Sequence, residues 1–316
     1  MKMFTRPSRS WMLAFLLIAL LTAGCGSETG AVEDEAAGDE AAVDIAAVDE
    51  SADEDAVSDE TMAEAELPRR IVSLSPTATE MLYAIGAGDQ VAAVDLFSNY
   101  PPEAPAGSLD AFVPDLEAIL AVEPDLVVAM FLPEDVAAGL DSAGVPVIIQ
   151  PAATGLDDVY AQIADLGVAT GQIEGADRVN DELRAGIDEV LAGLPEREAA
   201  LTVFHEIDET FYTATSNTFI GQIYNAMGFV NIADEYDDGS GYPVVDGETI
   251  IAANPDVIVF TSQASYDAAA IAARPGWEGI SAVANGRVVQ IDADVSSRWG
   301  PRIVEFMQSL AEAVGQ

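Results

Sequence analysis

Basic residues are scarce in this chain of 316 residues. It has 12 lysines and arginines against 55 aspartates and glutamates, which gives a formal net charge of -43. Its one lysine is Lys2. A surface this acidic repels a phosphate backbone, so nucleic acid is excluded as a partner. Such a surface suits a salty exterior, where counterions screen the repulsion between like charges.

Histidine and cysteine are each present only once, as His205 and Cys25. One histidine cannot build a histidine-rich zinc or manganese site, and one cysteine excludes an intramolecular disulfide. The sequence also lacks the GxSxG and GxxxxGK[ST] motifs, and no GxGxxG follows its first predicted strand. We therefore expect a binding protein with no catalytic residue, no metal site and no cofactor. We expect His205 to be a packed or exposed residue at a strand end.

The N-terminus has the three parts of an export signal. Lys2, Arg6 and Arg9 precede the apolar run WMLAFLLIALLTAG, which ends in small residues just before Cys25. The run is shorter than the roughly 20 residues that a transmembrane helix needs. LTAGC resembles the bacterial lipobox, in which the cysteine becomes the lipidated first residue. We predict a lipoprotein signal peptide over residues 1–25; a plain secretory signal with an incidental cysteine is the alternative.

Residues 26–68 differ in composition from the rest of the chain. From Ser27 to Pro68 they are mostly alanine, aspartate, glutamate and serine, with no aromatic and no basic residue. Such a segment cannot bury enough apolar surface to offset the entropy lost on ordering. We predict a disordered acidic tether between a lipid anchor and a folded body. An acidic interaction tail is the alternative.

From residue 69 onward, predicted strands alternate with predicted helices. The strands are RIVSLS, VAAVD, DLVVAM, VPVIIQ, LTVFHEI, DVIVFT and RVVQID, and the region from about 157 to 193 has helical signals only. This alternation is typical of parallel sheets covered by helices. The sequence therefore predicts an α/β fold with two Rossmann-like lobes and mostly parallel sheets, joined mainly by helix.

One segment occurs nearly twice. DLEAILAVEPDLVVAM begins at Asp115 and DGETIIAANPDVIVFT begins at Asp246, and the two align without a gap. Both have a glutamate at the third position, Glu117 and Glu248, and both have Pro-Asp before the predicted strand. We interpret them as the same helix–strand unit used once in each lobe. A coincidence between two ordinary units is the alternative.

The predicted cleft between the lobes is rich in aromatic residues. Ligands of two-lobed α/β proteins bind at the loops that follow the strands. The aromatic residues that we assign to ligand binding are Phe97, Tyr100, Phe112, Phe131, Tyr242 and Trp299. Tyr212 and Trp277 are on neighbouring loops. Aromatic side chains on loops suit a large, partly apolar ligand, although each one alone could equally be loop packing.

Arginine is a second candidate ligand contact. SSRWGPR places Arg298 just before the last predicted helix, which starts near Pro301, and Arg302 follows. A guanidinium beside free N–H groups suits a carboxylate, phosphate or amide of a ligand. The alternative is a surface arginine that pairs with one of the many acids.

Five stretches resemble the iron-chelate/cobalamin class of ABC-transporter substrate-binding proteins, the class III periplasmic binding proteins. They are RIVSLSPTATEMLYAIG, SNYPPEA, DLEAILAVEPDLVV, TFIGQIYNAMGFVNIAD and SSRWGPRIVE. The resemblance implies lobes over residues 69–170 and 195–316, a bridging helix over about 171–194 and a hinge that moves little. It further implies that the ligand passes to a permease dimer with its ATPase. The predicted lipid anchor would hold the protein at the outer face of the cytoplasmic membrane.

SNYPPEA looks most like the cobalamin-binding members of that class. The resemblance implies that Phe97, Tyr100 and Phe112 contact the corrin. A ferric siderophore held by clustered arginines, or haem with His205 as axial ligand, is the alternative. A lipid-anchored ligand sensor is the alternative from a different functional class.

The resemblance also implies a role for the two repeated glutamates. One glutamate on each lobe docks onto arginines of each half of the permease, and Glu117 and Glu248 fall at those positions. Two separated charge pairs would fix the orientation of docking and speed encounter. Alternatively, each glutamate only stabilises a helix N-terminus, which contributes about 0.3–1 kcal/mol.

Overall fold

The computed structural model describes residues 66–315. The predicted signal peptide, Cys25 and residues 26–65 of the predicted tether lie outside these residues. Within residues 66–315, no helix is both long enough and apolar enough to span a bilayer.

Strands and helices alternate along the described chain. The strands are β1 (Ile71–Leu74), β2 (Val91–Val94), β3 (Leu126–Ala129), β4 (Val147–Ile149), β5 (Thr202–Glu206), β6 (Val230–Asn231), β7 (Val257–Thr261) and β8 (Val288–Ile291). The helices are α1 (Pro76–Ile85), α2 (Leu116–Leu120), α3 (Glu134–Ser142), α4 (Leu156–Thr170), α5 (Ile173–Gly193), α6 (Phe219–Ala226), α7 (Gly247–Ala253), α8 (Ala268–Ala272), α9 (Ser281–Ala284), α10 (Ala293–Ser297) and α11 (Ile303–Val314).

The strands form two parallel sheets with the same internal order. The first sheet is β2-β1-β3-β4 and the second is β6-β5-β7-β8, and every strand pair in both is parallel. The central strands β1, β3 and β7 are buried throughout, as expected for apolar runs with helices on both faces. The predicted α/β fold with two lobes is confirmed. We call residues 66–170 the first lobe and residues 195–315 the second lobe.

The doubled segment folds as equivalent elements, α2–β3 in the first lobe and α7–β7 in the second. Each helix begins after an aspartate that caps it. Asp115 accepts hydrogen bonds from the backbone N–H of Glu117 at 2.9 Å and of Ala118 at 3.3 Å. Asp246 accepts one from the backbone N–H of Thr249 at 2.9 Å. Such caps satisfy N–H groups that have no partner within the helix and contribute about 0.5–2 kcal/mol each.

The shared Pro-Asp pair clamps the central strands of each sheet. Asp125 accepts hydrogen bonds from the backbone N–H groups of Arg69 and Arg70, at 2.8 and 2.9 Å, just before β1. Asp256 accepts one from the backbone N–H of Thr202, the first residue of β5, at 2.9 Å. The repeated sequence therefore encodes a repeated contact, between the starts of β3 and β1 in the first sheet and between the starts of β7 and β5 in the second.

Helix α5 joins the lobes. It spans Ile173–Gly193, close to the predicted residues 171–194, and it packs against α1 and α4 of the first lobe and α11 of the second. Its apolar side chains recur every three or four residues and form one buried stripe. The approach to α1 is close, because a Cβ atom on Gly175 would lie 1.9 Å from the carbonyl oxygen of Ile85.

Residues 66–315 form three apolar cores. One is a shared core that runs through both lobes, and it includes Met81 and Leu82 of α1, Leu183 and Ile187 of α5, and Phe306 of α11. The other two are separate, one on the outer face of each sheet. Full burial of such a side chain contributes about 1.5–3 kcal/mol. The shared core therefore ties the two lobes into one body.

Candidate ligand-binding site

The carboxyl ends of the two sheets meet at one junction. Residues 96–100, which we call the β2 loop, follow the end of β2. Residues 294–302, which we call the junction segment, run from α10 toward α11 after the end of β8. Asn99 of the β2 loop donates a hydrogen bond to Asp294 over 2.7 Å and so joins the two. Because α/β sheets bind ligands beyond the carboxyl ends of their strands, this junction is the candidate site.

A buried polar network fixes the start of the β2 loop. Asp95 is fully buried and accepts hydrogen bonds from the backbone N–H of Phe97 at 2.8 Å and from the hydroxyl of Ser98 at 2.6 Å. Ser98 in turn lies 2.8 Å from the hydroxyl of Thr79 on α1. Burial raises the pKa of Asp95, while these hydrogen bonds and nearby Arg298 act in the opposite direction. The base of the loop is therefore fixed by the first lobe.

The first lobe presents large aromatic side chains to solvent on the loops that follow β2 and β3. Phe97, Tyr100, Phe112 and Phe131 are between 41% and 48% exposed. Phe97 and Phe112 meet edge to face, with ring centroids 5.5 Å apart. Exposed apolar surface of this extent on neighbouring loops is typical of a site that a ligand covers. The structure thus brings Phe97 and Phe112 together, as a shared ligand role requires.

In the second lobe, Tyr242 is on the long connection between β6 and α7. It stacks on Tyr212 with ring centroids 6.0 Å apart and remains 36% exposed. Burial, and to a lesser degree the neighbouring Tyr212, raise the pKa of Tyr242, so its phenol is neutral at ordinary pH. A stacked pair of neutral rings offers a flat apolar surface with a hydroxyl at its edge.

Trp299 is held by the first lobe although it belongs to the second. Its indole N–H donates to Oε1 of Gln162 on α4 over 2.9 Å. The Gln162 side chain donates in turn to the carbonyl of Pro151, and Gln150 donates to the carbonyl of Gln162, each at 2.8 Å. Trp299 is partly buried against the shared core. The ring is thus held at the junction, and its indole N–H has a hydrogen-bond partner.

Trp277 does not belong to this group. It is 2% exposed and lies in the outer core of the second lobe, stacked on Phe211 with ring centroids 5.7 Å apart. The sequence placed it on a loop, but the loop folds inward and buries the ring.

Arg298 differs from the expectation of a cation that faces the ligand. Its side chain is 7% exposed, and its guanidinium pairs with Glu80 at 2.7 Å and with Asp294 at 2.8 Å. It also donates to Asn99 Oδ1 at 2.9 Å and to the carbonyl of Phe97 at 3.0 Å. These contacts do not favour a direct ligand role. The alternative considered above, an arginine paired with an acid, describes it better, although the pair is buried.

Glu80 is the residue of this junction that sequence reasoning missed. It lies on α1, 3% exposed, and accepts from both Arg298 and Arg302. Arg302 approaches it through Nε at 2.8 Å and Nη2 at 2.6 Å, and the Arg302 guanidinium lies 4.3 Å from the centre of the Tyr100 ring. The hydrogen bonds from Arg302 to Glu80 raise the pKa of Arg302. One buried carboxylate therefore anchors two arginines that reach the β2 loop.

A second buried glutamate–arginine pair lies within the second lobe. Arg274 binds the carboxylate of Glu206 through two parallel hydrogen bonds, of 2.6 and 2.7 Å, and Tyr266 donates its hydroxyl to the same carboxylate. Glu206 is fully buried at the end of β5. Both partners belong to one lobe, so this pair stabilises the second lobe alone.

His205 lies in the interior of the second lobe. It is 1% exposed on β5, and Nδ1 lies 2.6 Å from the hydroxyl of Tyr224, which is fully buried. Burial lowers the pKa of His205 from 6.5 to about 4, so the imidazole is neutral at ordinary pH. The expectation of a packed residue at a strand end fits this position. Its burial does not favour a role as an axial ligand of haem.

Glu117 and Glu248, which we call the glutamate pair, lie on the first turns of α2 and α7. Both side chains are exposed. Neither carboxylate makes a hydrogen bond or ion pair with any residue in the part of the chain that the structure describes. The structure places them on equivalent helices of the two lobes.

Metal-binding groups are not clustered in this fold. Over residues 66–315, no three histidine, cysteine, aspartate or glutamate side chains are arranged to hold a metal ion. The junction is instead built from exposed rings, neutral amides and a buried ion-pair network. This arrangement suits capture of a bulky ligand by surface contact.

Comparisons with known proteins agree with this architecture. The chain is 30% identical over 313 residues to an uncharacterized ABC transporter substrate-binding lipoprotein, YvrC, of Bacillus subtilis, covering 95% of each. It is 32% identical over 256 residues to a cobalamin-binding protein of Halobacterium salinarum, covering 78% of this chain and 69% of the relative.

A solved structure is also similar. It is a possible iron-binding, periplasmic solute-binding protein of Staphylococcus epidermidis, with a TM-score of 0.69 and 28% identity, and the match covers 79% of this chain and all of that one. The family model for periplasmic binding proteins matches residues 71–295, from the start of β1 to α10. This confirms the resemblance drawn from the sequence motifs, and the chain belongs to the periplasmic binding protein family.

Proposed function

We propose that this protein is the substrate-binding protein of an ABC importer and that it captures cobalamin between its lobes. The observation that carries this proposal is the set of exposed aromatic rings on the connections that follow strands in both lobes. Cobalamin is large and partly apolar, with a flat ring system edged by amides. Exposed rings with hydroxyl and amide groups nearby are the complementary surface.

The relatives support both parts of the proposal. One relative, which this chain matches along nearly its whole length, is a substrate-binding lipoprotein of an ABC transporter. Another relative is a cobalamin-binding protein. In this role the protein binds and releases its ligand unchanged, so no residue acts as a catalyst. Phe97, Tyr100, Phe112, Phe131, Tyr242 and Trp299 make the ligand contacts.

A related iron chelate is the second candidate ligand. The observation in its favour is the similarity to a possible iron-binding protein of the same fold. Two observations count against a siderophore held by Arg298 and against haem held by His205. Arg298 is bound to protein groups, and His205 is buried in the second lobe away from solvent.

The protein would act outside the cytoplasmic membrane. The signal peptide with its lipobox, residues 1–25, and the acidic tether, residues 26–68, would anchor it to the outer face of that membrane. The lipoprotein of Bacillus subtilis supports this reading, since the match covers 95% of both chains. The tether would let the folded lobes, residues 69–170 and 195–316 with the bridging helix 171–194, reach the permease.

The glutamate pair would dock the protein onto the permease. Two exposed carboxylates, one on the equivalent helix of each lobe, match a partner built from two similar halves. Exposed charges of this kind govern the encounter rate and the orientation more than the affinity. Glu174 and Glu312, which we call the control pair, are exposed glutamates on α5 and α11. They offer the same charge without the repeated helix position.

The ligand is tested by titrating the purified protein with cyanocobalamin, haemin and a ferric hydroxamate siderophore. Quenching is followed in a Trp277→Phe background, in which Trp299 is the tryptophan that remains in residues 66–315. We expect cyanocobalamin to bind. Phe97→Ala and Tyr242→Ala should each weaken it about three- to tenfold, because an aromatic contact contributes about 0.5–1.5 kcal/mol.

The control for these substitutions is Ile173→Ala, which removes an exposed apolar side chain at the start of α5. It should leave binding unchanged. Binding of haemin or the siderophore in place of cyanocobalamin would show that the ligand is an iron chelate. If none of the three binds, the proposed function is wrong.

A further inference from the structure

The contacts between the lobes are concentrated in one place. Within residues 66–315, the hydrogen bonds that join the first lobe to the second all involve the junction segment, residues 294–302. Their first-lobe partners are Glu80, Gln162 and the β2 loop. The junction segment therefore reaches across from the second lobe and holds the loop that bears Phe97 and Tyr100.

We propose that Glu80 is a positioning residue for ligand binding, because it anchors Arg298 and Arg302 so that they fix Phe97 and Tyr100 in their binding orientation. This rests on the proposed function, in which those two rings contact the ligand. Glu80 itself is 3% exposed and acts through the two arginines.

The first arm of this arrangement is Arg298. One nitrogen, Nη1, donates to Glu80 at 2.7 Å and to Asn99 at 2.9 Å, and Nη2 donates to the carbonyl of Phe97 at 3.0 Å. The planar fork of a guanidinium holds its partners at fixed angles. With one corner fixed by Glu80, the other donors set the path of the β2 loop at Phe97 and Asn99.

The second arm is Arg302. Its Nε and Nη2 bind the two oxygens of Glu80, and its guanidinium lies over the face of the Tyr100 ring at 4.3 Å. A cation over an aromatic face restricts the ring to a few orientations. The backbone at Phe97 and the ring of Tyr100 are therefore held from the second lobe, and both arginines bind one carboxylate.

Burial makes this network dependent on all of its members. The side chains of Glu80, Arg298 and Arg302 are 1%, 7% and 13% exposed, so solvent screens their interaction little. Without the Glu80 carboxylate, Arg302 would lose both of its acceptor oxygens and Arg298 would keep only Asp294 as an acidic partner, so the two guanidinium groups would repel each other in a buried site. The β2 loop would then have to be ordered by the ligand itself, and this cost would lower the affinity.

The Glu206–Arg274 pair provides a matched control. It is also buried and doubly hydrogen-bonded, but it lies within the second lobe and touches no residue of the β2 loop. Glu80→Gln and Glu206→Gln each remove one buried negative charge and keep the side-chain shape. Comparison of the two separates a loss of stability from a loss of loop positioning.

The experiment measures binding and loop order independently. The Kd for the chelate that the wild-type protein binds is measured with Glu80→Gln and Glu206→Gln, together with urea unfolding of each. In ligand-free protein labelled with 3-fluorotyrosine, the Tyr100 resonance, assigned through Tyr100→Phe, reports the ring environment. We expect Glu80→Gln to weaken binding about tenfold and to shift or broaden that resonance. Glu206→Gln should do neither.

Milder variants keep the test decisive if Glu80→Gln does not fold. Asn99→Ala removes an exposed side chain that ties the loop to Arg298, and Arg302→Lys keeps the charge but loses the planar fork. Both should change the Tyr100 resonance and weaken binding severalfold. Equal weakening by Glu206→Gln, or a Tyr100 resonance unchanged in the junction variants, would overturn the proposal. If no chelate binds the wild-type protein, the resonance still decides whether Glu80 positions the loop.

Discussion

His205 should make the stability of this protein fall as the pH falls. Its imidazole is 1% exposed, and Nε2 has no hydrogen-bond partner among residues 66–315. Burial lowers its pKa from 6.5 to about 4, because the charged imidazolium loses the water that stabilises it. In the unfolded chain the pKa returns to about 6.5.

The sign of the effect follows from proton binding. Between pH 6.5 and about 4 the unfolded chain binds a proton at this histidine that the folded protein does not. The stability is therefore intact above pH 6.5 and is lost progressively as the pH falls toward 4. At about 1.4 kcal/mol per pH unit, this interval corresponds to a loss of about 3 kcal/mol in the free energy of unfolding.

The assay is urea unfolding of the wild-type protein and of His205→Gln between about pH 7.5 and 4.5. Many carboxylates also titrate at low pH, but their effects cancel in the difference between the two proteins. On acidification the free energy of unfolding of the wild-type protein should fall by about 3 kcal/mol more than that of His205→Gln. In Tyr224→Phe the pH dependence should persist, because burial and not the tyrosine hydroxyl lowers the pKa. A wild-type minus His205→Gln difference that stays constant with pH would refute the reasoning.

Two further predictions concern docking and packing. Substitution of both glutamates of the glutamate pair by lysine should abolish uptake in cells and leave the Kd for the ligand unchanged. The same substitution in the control pair should leave uptake intact. Loss of ligand binding would instead place the glutamate pair in the ligand-binding site. Gly175→Ala should destabilise the protein by about 1–3 kcal/mol, because its Cβ would lie 1.9 Å from the carbonyl oxygen of Ile85. Gly193 is near the end of α5 with open space around it, so Gly193→Ala should stabilise the protein by about 0.4–1 kcal/mol. Equal effects of Gly175→Ala and Gly193→Ala in thermal unfolding would contradict this prediction.

The sequence signals were strongest where local chemistry determines the backbone. Ser75 caps α1 through a hydrogen bond from Ala78, and Gly86 ends that helix with a φ of 98°, the positions that serine and glycine favour. Helix α5 lies within two residues, at each end, of the bridging helix that the family resemblance implied, and the residues themselves indicated helix over about 157–193. The alternation of strands and helices predicted the parallel sheets, since buried parallel strands are continuous apolar runs.

The short elements could not be predicted in the same way. Strand β6 is two residues long and exists only through its pairing with β5. Helices α8, α9 and α10 have four or five residues each, too few for a periodic pattern. Their stability comes from tertiary packing and caps, not from helix propensity, so a single sequence contains little sign of them.

At the site, the sequence predicted exposed aromatic residues but not the ion pairs. Phe97, Tyr100 and Tyr242 follow strand ends and are exposed, as the loop rule indicates. Glu80 is one of many acids in the chain, and its partner Arg298 is 218 residues away. Among so many carboxylates no local pattern identifies the one that burial selects, and the sequence could not show which arginines were already paired.

The shared core limits how a bound ligand can leave. To swing the lobes apart, the molecule would have to expose side chains such as Leu183 and Phe306, each at a cost of about 1.5–3 kcal/mol. A charge pair at an exposed glutamate contributes about 1 kcal/mol or less. The proposed docking through two such pairs would therefore be too weak to act as a lever on the whole body. We therefore expect a transporter to empty this protein by shifting the β2 loop at the mouth of the site, while the helices behind it keep their places.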